Sequence, residues 1–143
     1  MVAPDQFRFA NAFAEVQPDP EGFAYMRCLP GTRRLADYQE AMNALLRVIR
    51  ATGTGKALVD HKNVAPITAE EQHWVVANWL PRAVVQGNYR YAALVSPPET
   101  MAWMNTIDPH LLDWPKAPTF KHFSNEADAR VWLRAQTVVA SHI

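Results

Sequence analysis

The chain has 143 residues, and its 14 basic side chains balance 14 acidic ones. It therefore lacks the basic excess that drives binding to nucleic acid. No apolar stretch approaches the roughly 20 residues of a membrane-spanning helix, and residues 1–8 lack the layout of a signal peptide. The single cysteine, Cys28, excludes an internal disulfide and a cysteine-based zinc site. We expect a cytoplasmic protein without a membrane span or a nucleic-acid partner.

The first part of the chain predicts an antiparallel hairpin followed by a helix. Residues 7–16 and 22–29 carry the alternation of strands, and the turn formers between them, 17–22, indicate a hairpin loop. Apolar residues then recur at the three- and four-residue spacing of a helix, which Gly53 ends: Leu35, Tyr38, Met42, Leu45, Leu46 and Ile49. A short buried strand follows at Lys56–Asp60.

The second part predicts helices and buried strands in alternation. Thr68 with Glu71 has the pattern of a capping box at the start of a helix over 69–86, which Pro81 should kink or divide. The remaining elements are strands at 91–95 and 119–123, a helix with Met101, Met104, Ile107 and Leu111 facing inward, and a last helix capped by Ser124 or Asn125 with Ala129, Trp132 and Leu133 on its apolar side.

This order of elements predicts a single α/β domain with its core at about 7–135 and a frayed tail at 136–143. The sheet is expected to be mixed and five-stranded, with an N-terminal antiparallel hairpin, then parallel β-α units, and four helices in all. The central condition of this fold prediction is that two short apolar runs lie side by side in the interior of one sheet. These runs contain Leu58 and Val59, and Leu94 and Val95.

Residues 57–83 contain five notable stretches: Leu58-Val59-Asp60, Asn63, Glu70-Glu71-Gln72, Trp74 and Trp79-Leu80-Pro81-Arg82-Ala83. With these stretches the segment resembles the small bacterial SpoIIAA-like proteins of the STAS/SEC14 type. The order of elements over about 7–135 fits as well. The resemblance implies a STAS/SpoIIAA-like fold and a non-enzymatic regulatory or ligand-binding domain.

Phospho-regulated members of that group carry an Asp-Ser-Ser-Gly type of turn between the third strand and the next helix. This chain has Val64-Ala65-Pro66-Ile67-Thr68-Ala69 at that place, with neither serine nor glycine. Thr68 is the one hydroxyl there, and its capping pattern accounts for it without phosphorylation.

Polar residues collect after the predicted parallel strands, where α/β sheets bind ligands. Such an edge could bind a small anionic or polar ligand, but the same residues also suit the ends of strands and the caps of helices. They are Asp60, His61, Lys62, Asn63, Thr68, Ser96, Ser124 and Asn125.

The tryptophans allow three interpretations. Trp74 and Trp79 are five residues apart, which is about 140° on an ideal helix, so both cannot lie centrally on one face. Trp103 is offset from the Met101 and Met104 stripe. This group could line an apolar pocket, form a dimer interface or belong to the core.

Catalysis and metal binding find weak support. A Ser96, His61 and Asp60 triad can be imagined, but Ser96 lacks the Gly-x-Ser-x-Gly elbow and Pro97 removes the next N–H. No two histidines have the i, i+4 spacing of a helical metal site, and we expect no cofactor.

The sequence thus predicts a non-catalytic, homodimeric regulatory or protein-interaction domain. The alternative is a carrier of an apolar small molecule, and the remote alternative is a serine-dependent hydrolase.

Overall fold

The structure, a computed structural model, describes residues 7–96 and 118–136. Within these residues, six strands form one sheet whose spatial order follows the chain. The strands are β1 (Phe9–Ala10), β2 (Ala14–Pro18), β3 (Ala24–Cys28), β4 (Lys56–Asp60), β5 (Tyr91–Val95) and β6 (Thr119–Phe123). The helices are α1 (Leu35–Thr52), α2 (Ala69–Trp74), a π-helical turn (Val75–Trp79), α3 (Leu80–Gly87) and α4 (Glu126–Ala135).

The sheet is mixed, as the sequence predicts. β1, β2 and β3 pair antiparallel, whereas β3, β4, β5 and β6 pair parallel. Leu58 pairs with Ala93, and Val59 pairs with Leu94. All four residues of the two apolar runs are buried, with 7% or less of their surface exposed. The central condition of the fold prediction is therefore confirmed.

The N-terminal strand differs from the prediction, and the part of the sheet that the structure describes has six strands rather than five. Residues 7–16 do not form one strand, because the chain turns between β1 and β2. The side-chain oxygen of Asn11 accepts hydrogen bonds from the backbone N–H of Phe13 at 2.9 Å and of Ala14 at 3.1 Å. A side chain that binds its own backbone in this way competes with the strand ladder. The irregular spacing of Phe9 and Phe13 in the sequence results from this turn.

Helices cover the two faces of the sheet unequally. On one face α1, α2 and α3 pack over β2 to β5 and enclose the larger core, which includes Val16, Met26, Leu45, Val59 and Leu94. On the other face α4 packs over β4, β5 and β6, around Phe23, Leu58, Val95, Ala129 and Leu133. The opposite side of β2 and β3 carries polar side chains, as one face of an antiparallel pair often does.

Pro81 divides the predicted helix over 69–86 without ending it. Proline has no N–H to donate to the carbonyl four residues back, and here the helix widens into the π-helical turn just before it. The N–H of Leu80 accordingly bonds to the carbonyl of Val75, five residues back. The helix then continues to Gly87, where a Cβ atom would lie 2.8 Å from a methyl group of Ile49. That glycine permits α3 to approach α1 closely.

The last predicted helix is present as α4. Asn125 is its cap, since its side chain accepts a hydrogen bond from the N–H of Asp128 at 2.9 Å. Ala129 and Leu133 are fully buried, and Trp132 packs against the same core. The helix predicted around 101–111, together with Trp103, Met101 and Met104, lies outside the described residues, as do residues 137–143 of the predicted tail.

Candidate functional site

The sequence-predicted polar edge separates into two groups on opposite faces of the sheet. Asp60 follows Val59 and therefore projects toward the α4 face, where Leu58 also lies. Its carboxylate accepts a hydrogen bond from the N–H of Lys62 at 2.9 Å, and the Lys62 ammonium lies 3.5 Å away. Asp60 thus belongs to a local turn and does not join His61.

His61 and Ser96 lie together at the carboxyl ends of β4 and β5. The N–H of His61 donates to the carbonyl of Val95 at 2.7 Å, and that of Ser96 donates to the carbonyl of Phe123 at 2.9 Å. These bonds continue the parallel ladder beyond the ends of the strands. Ser96 is fully buried, and His61 has 9% of its surface exposed.

His122 joins these two side chains, and the sequence analysis did not identify it. It lies in β6 and pairs with Leu94. Its Nδ1 atom, the Nδ1 atom of His61 and the Oγ atom of Ser96 are all buried without a hydrogen-bond partner in the described part of the chain. Only the pairing of β5 with β6 brings His122 close, and no local pattern in the sequence indicates it.

Burial keeps both imidazoles uncharged near neutral pH. Burial above all, together with the nearby His122 and Arg33, lowers the pKa of His61 to about 4. Burial also lowers the pKa of His122. The imagined triad is not assembled among these residues, because Asp60 faces the other side of the sheet and the Ser96 hydroxyl makes no bond to His61.

Arg33 organises the loop that follows β4, and the sequence analysis did not single it out. Its guanidinium makes two hydrogen bonds to the carboxylate of Glu71, at 2.7 and 2.8 Å. It also donates to the carbonyls of Ala65 at 3.3 Å and Pro66 at 3.2 Å, and it lies 4.7 Å from the ring centre of Phe13. The Arg33 and Glu71 side chains are only 6% and 4% exposed. We call these contacts the Arg33 clamp.

The clamp and the helix cap share one carboxylate. Thr68 Oγ1 accepts from the N–H of Glu71 at 3.1 Å, and Glu71 Oε1 accepts from the N–H of Thr68 at 2.9 Å. The predicted capping box is therefore present. Burial opposes ionisation of Glu71, but the bonds from Arg33 and Thr68 outweigh it and hold the pKa of this carboxyl below its ordinary value.

Asn63 and Thr68 are exposed on this loop, together with Lys62 and Pro66. The clamp fixes the backbone while these side chains remain at the surface. We call residues 61–68 the β4–α2 loop.

Trp74 and Trp79 both contact α1. Trp79 is 2% exposed, and its indole N–H donates to the carbonyl of Met42 at 2.5 Å. Trp74 is half-buried, with its ring centre 6.1 Å from that of Tyr38. Tyr38 and Met42 are one helical turn apart, so both tryptophans meet the same helix. The ideal-helix spacing did not anticipate this, because the π-helical turn between them changes the rotation per residue.

A polar groove lies between α4 and the open side of β2 and β3. It encloses about 340 Å³. Arg130 binds Asp19, Glu21 and Glu126 there at 2.8 to 3.0 Å, and Arg27 pairs with Glu15. Burial and the Glu126 charge raise the pKa of Tyr25 to about 12. The described charges of this groove thus bind one another.

Residues 7–96 and 118–136 contain no group of three or more metal-ligating side chains that could hold a metal ion. None of the helices in these ranges combines the length and the apolar character needed to cross a bilayer.

Comparison with known proteins gives one family match. The model of the SpoIIAA-like family matches residues 29–134, which is more than half of the chain. This range runs from the end of β3 to α4 and includes the β4–α2 loop and the His61, Ser96 and His122 group. No curated protein and no solved structure matches the chain significantly. The protein belongs to the SpoIIAA-like family.

Proposed function

We propose that the protein is a non-catalytic regulatory domain that acts by contact with another protein chain, and that a second copy of itself is the partner. The membership of the SpoIIAA-like family supports a regulatory domain. The observation that carries the proposal is the Arg33 clamp, which holds an exposed polar loop in one conformation.

A fixed loop is suited to recognition because little conformational entropy is lost when it binds. The loop lies at the carboxyl edge of the parallel strands, where α/β folds place their binding sites. Its exposed side chains include Lys62 and Asn63, and Glu70 is exposed at the start of α2. A two-fold contact can therefore pair the lysine of one copy with the glutamate of the other.

A phosphorylation switch has less support at this loop. The Thr68 hydroxyl is engaged in the cap, and a phosphate there would lie beside the Glu71 carboxylate. We therefore propose a constitutive contact that depends on the concentration of the partner.

Charge reversal tests the proposal in solution. Lys62→Glu and Glu70→Lys should each weaken self-association by about tenfold or more, because each places like charges together across the contact. The double variant should restore the association. Val131, which is 60% exposed on α4, supplies the control, since Val131→Glu should leave the association unchanged. Analytical ultracentrifugation over a wide concentration range measures each dissociation constant.

Site-specific photo-crosslinking tests the same surface in the cell. A benzophenone side chain at position 63 should form a covalent dimer, whereas the same group at position 131 should not. A reproducible adduct at position 63 with a different protein would keep the protein contact and contradict the homodimer. A monomer at every concentration, with no adduct at position 63, would overturn the proposal.

A further inference from the structure

Three polar side chains share one face of the sheet at the carboxyl ends of β4, β5 and β6. Asp60 pairs with Val95, and Val95 pairs with Phe123, so His61 and Ser96 are neighbours one residue further along. His122 precedes Phe123 on the next strand. Since successive side chains alternate between faces, His61, Ser96 and His122 all project toward the side covered by α1 and α3.

These side chains have unmet hydrogen-bonding capacity. Four buried side-chain atoms in the described part of the chain lack a hydrogen-bond partner, and three of them belong to this group. They are Nδ1 of His61, Oγ of Ser96 and Nδ1 of His122. Native proteins leave few buried polar groups unsatisfied, because each such group costs free energy. Their concentration in one place points to a ligand.

The surrounding groups suit a ligand whose atoms accept hydrogen bonds. Of the two titratable groups that act on His61, His122 from β6 is uncharged near neutral pH, and Arg33 from the segment before α1 carries a positive charge that Glu71 balances. The nearby carboxylates are otherwise engaged, because Glu71 binds Arg33 and Asp60 faces the other side of the sheet. A hydroxyl and two imidazole N–H groups can all donate to one acceptor.

We propose that His61, Ser96 and His122 form a binding site for a small oxyanion, either a carboxylate or a phosphate group. Ser96 supplies a hydroxyl donor at the centre of the group, and the two imidazoles donate from the neighbouring strands. His122 is only half-buried, which gives the group a side toward solvent. His61 is the first residue of the β4–α2 loop, but its side chain is buried, so this site shares no side chain with the protein contact proposed for the exposed residues Lys62, Asn63 and Glu70.

Histidine-detected NMR tests the site, with inorganic phosphate and acetate as separate probes at constant pH and ionic strength. One probe should shift the imidazole signals of His61 and His122 in a saturable manner. His73, which is exposed on α2, is the internal control and should respond little. Saturation by phosphate alone identifies a phosphate site, and saturation by acetate alone identifies a carboxylate site.

Ser96→Ala tests the central donor. It should weaken the anion affinity by about tenfold, the value of one hydrogen bond of ordinary strength. Without the anion it should raise the midpoint of thermal unfolding, because a buried hydroxyl without a partner is removed. His73→Gln is the matched control and should change neither property.

Two results would overturn the proposal. In one, neither probe shifts the two imidazoles at tens of millimolar, which means that water satisfies these groups. In the other, His73 shifts as strongly as His61, which means that the anions act on the surface generally. The Lys62→Glu variant should still bind the anion, so failure of the loop contact and failure of this site can be told apart.

Discussion

Arg33 and Arg130 each join several elements, but they do so on opposite faces of the sheet and in different surroundings. The Arg33 side chain is 6% exposed, and its carboxylate partner among the described residues, Glu71, is 4% exposed. Arg130 is 21% exposed and binds three described carboxylates, of which Glu21 and Glu126 are each 34% exposed and Asp19 is 8% exposed.

The difference shows how burial changes the role of an ion pair. Where water reaches the pair, solvent replaces a lost partner at little cost. Where water is excluded, the remaining charge has nothing to replace its partner, and the free-energy cost is large. We therefore expect the Arg33 clamp to decide whether the β4–α2 loop is ordered. The Arg130 network should tune the attachment of α4 only slightly.

Glu71→Gln should produce the largest loss. It leaves the Arg33 charge buried without a counter-charge, for which about 3–5 kcal/mol of unfolding free energy is expected. Glu126→Gln, on the exposed side, should cost less than about 1 kcal/mol. Urea denaturation measures both. Equal losses would show that the two arginines do not differ as proposed.

The second-largest expected effect is a loss of stability in mild acid, and it arises on the face of the sheet that carries Arg33. The His61 pKa is about 4 in the folded protein and 6.5 ordinarily, so the unfolded chain binds the proton first. Stability should therefore be unaffected above pH 6.5 and fall by a few kcal/mol as the pH drops toward 4, at about 1.4 kcal/mol per unit. His122 contributes in the same direction because its pKa is also lowered.

His61→Gln is the variant that checks this, since it should flatten the stability curve between those pH values. The Glu71 contribution has a separate window: it is complete above its ordinary pKa of 4.5 and is lost as the pH falls through its lower folded value. An unchanged slope between pH 6.5 and 4 in His61→Gln would contradict the buried neutral imidazole.

The two helix caps give a smaller effect and a test of coupling. Thr68→Ala and Asn125→Ala should each cost about 1 kcal/mol, because each frees a backbone N–H at a helix start. Thr68→Ala combined with Glu71→Gln should be non-additive, since Glu71 serves both the cap and the clamp. Asn125→Ala combined with Arg130→Met should add to within about 0.5 kcal/mol. Additivity in both pairs would deny the shared role of Glu71.

Arg130→Met should lose less stability than Arg33→Met, because two of the three carboxylates that Arg130 binds are partly exposed to water, and the loss should become smaller as the salt concentration rises. Arg33→Met should lose stability at every salt concentration, because its partner is buried. Thermal unfolding in a salt series compares the two variants, and a salt-independent loss for Arg130→Met would place it with the buried pair.

Local patterns in the sequence account for most of the described fold. Alternation and helical spacing predicted β3, β4, β5, β6, α1 and α4 close to their observed bounds. The Thr68 and Glu71 cap was also predicted, because both partners lie within one helical turn. The turn at Asn11 was missed, since a single asparagine that binds its own backbone leaves only an irregular spacing of phenylalanines. The contact of Trp74 and Trp79 with α1 was missed because the π-helical turn changes the rotation per residue along the helix.

The candidate sites show where sequence reasoning reaches its limit. His61 and Ser96 were identified because each follows a buried strand, and the ends of parallel strands meet at one edge. Arg33 is 38 positions before Glu71, and nothing near either residue indicates the other.

The sequence by itself determined the mixed sheet, its central apolar strands and the caps of its helices, because these depend on neighbours within a few residues. Only the tertiary structure decided that Arg33 closes over the β4–α2 loop and that His122 joins His61 and Ser96. The physical reason is that both arrangements depend on which strands and helices pack side by side, and on the exclusion of water between them.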